Sequence, residues 1–361
     1  MDITANITAS GTAGKRKPGS HATGKAAENG ESQTILVYVG VDLIGDAVMK
    51  LPFVYGLRRE FPSAHITWLA GKGATVYARE MAPFVKGSID EIIENAGIGS
   101  RVSELFGPRP LAGRRFDIVI DTQRRVLTTL ILSRIERGCF VSGTARFLFS
   151  SISPKDLTKP KSMVKQLAAL IALASGRSFE LVAGAPVDRD AESMADLLLP
   201  AGPCYVGFAP GAGMNRKRWP MERYISVAKA GMDAGRVPVF LLGPGEAAEA
   251  GPIRSAIPGA LMPLQQVAEI TPAITISLSR RLTAAVANDS GAGHLIAASG
   301  VPLVSLFGPT SPDKFAPVAS RLVVVKAQDW GQENMDAIPT DAVAKALDRL
   351  IHDSGPRAAA Q

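Results

Sequence analysis

A chain of 361 residues, 46% hydrophobic, is long enough for two domains of ordinary size with a substantial core. No apolar run reaches membrane-spanning length: Val126 to Ile135 is broken by Thr128, Thr129, Ser133 and Arg134. The formal net charge of +7 suits an anionic ligand or membrane surface, while Cys139 and Cys204 sit in no ligand spacing and read as buried thiols in a reducing compartment.

Residues 1–33 are small, polar and basic, with almost no large apolar side chains. They bury too little surface to offset chain entropy, so a disordered extension is expected, and the lack of an apolar h-region argues against a secretory signal. Order is expected from Thr34, where Thr34-Ile35-Leu36-Val37-Tyr38-Val39 has a buried-strand pattern. Asp42-Leu43-Ile44-Gly45-Asp46 follows, then a helical period through Val48, Leu51, Val54 and Leu57. Further strands are predicted at 65–70, 88–94, 116–121 and 139–143, with helices at 126–135 and 163–174. Strand alternating with helix means parallel sheet with helices on both faces.

Pro154, Lys155, Lys159, Pro160, Lys161 and Lys165 interrupt that rhythm, and the domain boundary is placed near residue 185. A helix at 190–199 opens the second half, which repeats the architecture. Strand 205–210 ends in Gly211-Ala212-Gly213, and Asn215-Arg216-Lys217-Arg218-Trp219-Pro220 leads into a helix at 221–234. Trp219 before that helix fits a hydrophobic staple and reads as packing. Strand 237–242 leads to Gly243-Pro244-Gly245-Glu246 and a helix through Ala250. Strands at 282–287, 301–307 and 322–326 follow. An amphipathic helix at 340–351 and a loose tail from Asp353 close the chain.

Between two of these strands lies Asn288-Asp289-Ser290-Gly291-Ala292-Gly293-His294, running into a short helix that Gly300 can end in the left-handed conformation. A helix start of this kind offers unpaired backbone N–H groups and the positive end of the helix dipole, which suits a phosphate within reach of His294. The same residues also make an ordinary strand-to-helix turn capped by Asp289 or Ser290.

Three segments together resemble glycosyltransferase family 9, whose best-known members are the ADP-heptose:lipopolysaccharide heptosyltransferases. They are Gly45-Asp46-Ala47-Val48-Met49-Lys50-Leu51-Pro52, Pro210-Gly211-Ala212-Gly213 with Lys217-Arg218-Trp219-Pro220, and Asn288 to His294 with Leu306-Phe307-Gly308-Pro309-Thr310. The resemblance covers roughly residues 34–350. It implies an α/β fold of two Rossmann-like domains facing across a cleft (the GT-B type). An acceptor domain at 34–185 would face a nucleotide-sugar donor domain at 186–352. It also implies inverting, metal-independent transfer of a sugar, heptose by analogy, from an ADP-sugar to a lipopolysaccharide core or related glycan. The ADP-sugar is a co-substrate, with no cofactor. Asp46 matches the family's catalytic aspartate; Asp42 and Asp121 are rival carboxylates at strand ends.

Physically, Ser290, Gly291, Ala292 and Gly293 supply donors to a diphosphate in this reading, Lys217 the cation, and Glu246 an acceptor for ribose hydroxyls. Gly211 and Gly213 line the same loops, and Asp289 either orients its loop or touches the sugar. No clustered carboxylates are spaced for a divalent metal. The chain departs from the family pattern at Asp42 and Leu43, where a Ser pair is common, and at Arg124, where a Gly commonly follows the Gln. Both departures lie on the acceptor side. A cytoplasmic enzyme is expected, touching the anionic inner-membrane face peripherally through Arg124, Arg125, Lys155, Lys159 and Lys161. The alternatives are a degenerate nucleotide-sugar-binding protein of the same fold and, from the string Gly243-Pro244-Gly245-Glu246-Ala247-Ala248, an NAD oxidoreductase. Nucleic-acid binding lacks an aromatic-basic pattern.

Overall fold

The computed structural model describes residues 32–154, 160–181 and 184–353. The predicted extension before residue 32, the tail from 354, and Lys155 and Lys159 lie outside these. The first half runs β1 (Thr34–Val39), α1 (Ile44–Glu60), β2 (His65–Ala70), α2 (Ala82–Val85), β3 (Glu91–Ile93), β4 (Arg115–Asp121), α3 (Val126–Leu132), β5 (Glu136–Ser142) and α4 (Met163–Ser175). The second begins with α5 (Arg189–Leu198), β6 (Tyr205–Ala209), α6 (Met221–Asp233), β7 (Val237–Phe240), α7 (Ala250–Ala256) and α8 (Pro272–Arg280). It ends with β8 (Ala284–Asn288), α9 (Gly291–Ala298), β9 (Leu303–Phe307), α10 (Pro312–Phe315), β10 (Leu322–Lys326) and α11 (Thr340–His352).

The strands form two five-stranded sheets, ordered β3-β2-β1-β4-β5 and β10-β9-β8-β6-β7, with every pairing parallel. Parallel strands covered on both faces have no solvent side, so they read as continuous apolar runs rather than alternating ones. Ile35 to Val39 and Ala284 to Ala287 are wholly buried for this reason. The fold is the two-sheet α/β arrangement that the alternation of elements implies. Helix α4 packs on α1, and α5 packs on α8.

Several elements differ from the sequence pattern. The strand expected at 88–94 shrinks to β3, because the N–H groups of Ser88 and Ile89 bond to the Val85 carbonyl and finish the α2 turn. The strand expected from Cys139 begins at Glu136. Where Gly243-Pro244-Gly245-Glu246 and then a helix through Ala250 are expected, the chain forms a 3-10 segment, Pro244–Glu249, and becomes α-helical only at Ala250. Cys139 and Cys204 are free, and both are half-buried rather than buried. Among the described residues no helix is long and apolar enough to cross a membrane.

Candidate functional site

Each sheet reverses its strand order at one point, between β1 and β4 in the first half and between β6 and β8 in the second. The crevice beyond the carboxyl ends of the strands at such a point is where open parallel sheets hold ligands. The loop after β6 carries Gly211, and β8 is followed by Asp289 and Ser290 and then by the first turn of α9, with Gly291 to His294. After β1 the chain enters α1, whose first turn carries Asp46; the loop after β4 carries Gln123, and a Cβ on Gly40 would lie 3.2 Å from Gln123 Oε1.

In the second half a buried amide ties the crevice together. Asn288 Nδ2 donates to the Pro210 carbonyl at 2.7 Å, while its Oδ1 accepts from the Trp219 N–H at 3.2 Å and the Tyr224 hydroxyl at 2.9 Å. Trp219 precedes the Pro220 N-cap and packs edge-on against Tyr224, the fourth residue of α6, at 5.0 Å between centroids. That is the expected hydrophobic staple, and it fixes the angle at which Lys217 and Arg218 enter the site.

The turn after β8 divides its two polar residues between different tasks. Ser290 caps α9, accepting from the Gly293 N–H at 3.4 Å. Asp289 turns instead toward Lys217: its Oδ2 accepts from Lys217 Nζ at 2.7 Å and from Thr310 Oγ1 at 2.6 Å. Gly293 is required by close approach, since a Cβ there would come 2.8 Å from the Asn288 carbonyl. Gly300 follows the helix at φ +82°, the left-handed end foreseen from the sequence. Glu246 reaches across to the β6 loop, where a Cβ on Gly211 would sit 2.7 Å from its Oε2, and its Oε1 pairs with Arg218 Nη2 at 3.1 Å. Gly213 has open space around it, so nothing steric demands glycine there.

The two halves meet at glycines. A Cβ on Gly45 would lie 3.5 Å from Gly291 Cα, so the N-termini of α1 and α9 touch through bare backbone. Leu295 and Ala298 of α9 enter the same apolar cluster as Val48 and Leu51 of α1. This contact brings Asp46, exposed in the first turn of α1, beside the turn after β8. The N-cap of α1 is Leu43, without a side-chain cap bond, and among the described residues the Asp46 carboxylate has no hydrogen-bond partner. His294, 7% exposed, feels Asp289, Asp46 and Lys217. Burial lowers its pKa below the usual imidazole value, against the pull of Asp289 and Asp46, which favours the neutral ring.

The rival carboxylates are committed elsewhere. Asp42 is buried and accepts from Lys50, from Trp68 Nε1 at 3.0 Å and from Thr75 Oγ1 at 3.2 Å. Asp121 accepts from Thr129 Oγ1 at 2.6 Å, Ser142 Oγ at 2.9 Å and the Gln123 N–H at 2.8 Å. Burial lifts its pKa to about 6 despite those bonds. Among the described residues no three His, Cys, Asp or Glu side chains converge as a metal site would need.

A model of glycosyltransferase family 9 (heptosyltransferase) matches residues 108–339. Lipopolysaccharide heptosyltransferase 2 of Salmonella typhimurium is 32% identical over 170 residues, covering 42% of this chain and 47% of that protein. The chain thus spans less than half the length of the curated relatives it matches. The fold matches a glycosyl transferase family 9 crystal structure from Veillonella parvula with a TM-score of 0.67 and 20% identity, over 89% of this chain and 97% of that one. It also matches the E. coli heptosyltransferase WaaC with ADP, with a TM-score of 0.63 and 18% identity, over 88% of this chain and all of the other, at 100%.

Proposed function

The chain belongs to glycosyltransferase family 9, and from that premise we propose that it transfers a heptosyl unit from an ADP-sugar to a lipopolysaccharide core or related glycan, with inversion at the anomeric carbon. The carrying observation is the contact of the two switch-point crevices at Gly45 and Gly291, with Asp46 on one side and the Lys217–Asp289 turn on the other. In this reading residues 34–185 receive the acceptor and residues 186–352 hold the donor. The ADP diphosphate lies at the start of α9, drawing on the N–H groups of Gly291 and Ala292 and on the positive helix end. Lys217 leaves Asp289 to meet the phosphates, Thr310 keeps Asp289 in place, and Glu246 accepts from the ribose beside Gly211. Neutral His294 hydrogen-bonds the donor without adding charge. Asp46 takes the proton of the acceptor hydroxyl as its oxygen attacks the anomeric carbon and the bond to the ADP oxygen breaks. The test is ADP release from ADP-heptose that depends on a heptose-deficient lipopolysaccharide acceptor. ADP binding without such release would leave only the degenerate, binding-only member of the family.

Charge on the departing diphosphate falls to Lys217 and the helix end, with no divalent ion in the scheme. Full activity is therefore expected in excess EDTA. Complete loss, restored by magnesium or manganese, would contradict this site.

A peripheral place on an anionic membrane face follows from an acceptor of this class. Arg124, Arg125 and Lys161 are exposed on the described surface, although Lys161 also reaches Asp313 at 3.4 Å. Attraction of about 1 kcal/mol per basic residue near such a surface is screened by salt. Vesicles containing phosphatidylglycerol should sediment the protein at low ionic strength and release it at high. Equal binding to neutral vesicles, or no response to salt, would refute this electrostatic contact.

A further inference from the structure

Asp42, Asp46 and Lys50 stand at four-residue spacing through the β1–α1 loop and the first turns of α1. Residues four apart on a helix are neighbours, and an acid one turn N-terminal to a lysine pairs with it readily. Asp46 and Lys50 have that relation but do not pair. The Lys50 ammonium turns back to Asp42 Oδ1, in an ion pair whose side chains are 11% and 0% exposed. The other Asp42 oxygen accepts from Trp68 Nε1 at 3.0 Å and Thr75 Oγ1 at 3.2 Å, so Asp42 is held from β2 and from the loop beyond it. Trp68 packs edge-on against Tyr77 at 5.2 Å, and the Tyr77 hydroxyl donates to the Ala47 carbonyl at 2.7 Å, next to Asp46 in the chain.

We infer that Asp42 is a positioning residue for Asp46: it holds the Lys50 ammonium away, so that the Asp46 carboxylate stays unpaired and open to the acceptor hydroxyl. The inference rests on the reading of Asp46 as the base. The groups around Asp46 leave this task to Asp42. From α9 it faces His294, where burial favours the neutral ring, and behind that Lys217, which is paired with Asp289 here and with the phosphates in the proposed complex. On its own helix the nearby cation is Lys50. Released from Asp42, that ammonium finds Asp46 one turn away. The new pair would stabilise the charged carboxylate and weaken it as a proton acceptor. A purely structural Asp42 would instead hold the loop through Trp68 and Thr75, whatever Lys50 does.

Three variants of the full chain separate these roles: Asp46→Asn, Asp42→Asn, and Asp42→Asn combined with Lys50→Met. Turnover is read as acceptor-dependent ADP release, donor affinity as the thermal shift with ADP, and folding by circular dichroism. Asp42→Asn should lower kcat about tenfold, part of the range a general base contributes. It should also move the acidic limb of the pH–rate profile to lower pH, with ADP affinity unchanged. The double variant keeps an acceptor for Trp68 and Thr75 but has no ammonium to release, so rate and profile should return close to wild type. Wild-type kcat and profile in Asp42→Asn would overturn the inference, as would a folded double variant no faster than the single one. If Asp42→Asn does not fold, the double variant decides alone: active supports, folded and slow refutes. Normal turnover in Asp46→Asn would instead mean that the assignment of the base itself has failed.

Discussion

Asp46→Asn should lower turnover by about 10²–10⁴-fold while folding and ADP binding stay intact, the loss expected when a general base is removed. The substitution is nearly isosteric, and the structural cost should be small. Leu43 rather than Asp46 occupies the N-cap of α1, and the Asp46 carboxylate makes no hydrogen bond among the described residues. What the fold loses is the interaction of a charge with the helix dipole, roughly 0.3–1 kcal/mol at an exposed first turn. A large fall in kcat with an almost unchanged melting temperature therefore separates catalysis from stability. Initial rates at saturating donor, compared with unfolding curves of both proteins, make the check. Near-normal turnover would remove Asp46 from the mechanism. Asp42 and Asp121 would be poor replacements, since each is buried and held by three donors.

Lys217→Ala should abolish most of the thermal stabilisation that ADP confers. A ligand bound only by the folded state stabilises it by about 2.7 kcal/mol at a hundredfold excess over Kd. A hydrogen bond to a charged group contributes about 1.5–3 kcal/mol, so loss of the ammonium removes much of that shift. The variant also leaves Asp289, 7% exposed, without its cation, although Thr310 still donates to it. The apo protein should therefore melt lower as well. The diagnostic quantity is the increment caused by ADP, measured from each protein's own apo baseline. An undiminished increment would show that Lys217 stays with Asp289 when nucleotide binds. Stabilisation by NADH but not by ADP would point to the oxidoreductase reading instead. Against that reading, the Gly243-Pro244-Gly245 string opens a 3-10 turn, without the α-helical N-terminus that a dinucleotide needs at its pyrophosphate.

Much of this was legible in the sequence because parallel sheets leave a coarse signal. Runs such as Ile35 to Val39 are apolar on both faces, and the breaks between them hold Gly, Asp and Ser. A cap at Asp289 or Ser290, Gly300 as helix end and Trp219 as staple are each readable from local chemistry, because each acts within a few residues of itself; that Ser290 is the one that caps is seen only in the fold. Helix α8 carried a local signal as well, with Thr271 accepting from the Ile274 N–H and Pro272 in the first turn, but its neighbours Glu269 and Ile270 give no clear strand before it. Partnerships across the fold were not legible. The motif itself gives Asn288 no role, because its partners Pro210, Trp219 and Tyr224 lie 64 to 78 residues away. The pairing of Lys217 with Asp289 spans 72 residues, and that of Arg218 with Glu246 spans 28. Asp42 reads as an available carboxylate in the sequence, because nothing beside it tells that Lys50 pairs with one of its oxygens while Trp68 donates to the other. The apposition of Gly45 and Gly291 depends on how α1 meets α9, which no single segment encodes.

Transfer of a heptosyl unit across that contact leaves its mark on the acceptor product. Wild-type protein and Asp46→Asn would be incubated with ADP-heptose and a heptose-deficient lipopolysaccharide, and the acceptor examined by mass spectrometry and NMR. The wild type should add one heptosyl residue with inverted anomeric configuration, and the variant almost none over the same time. An unmodified acceptor in the presence of bound ADP-heptose, or a product with retained configuration, would contradict it.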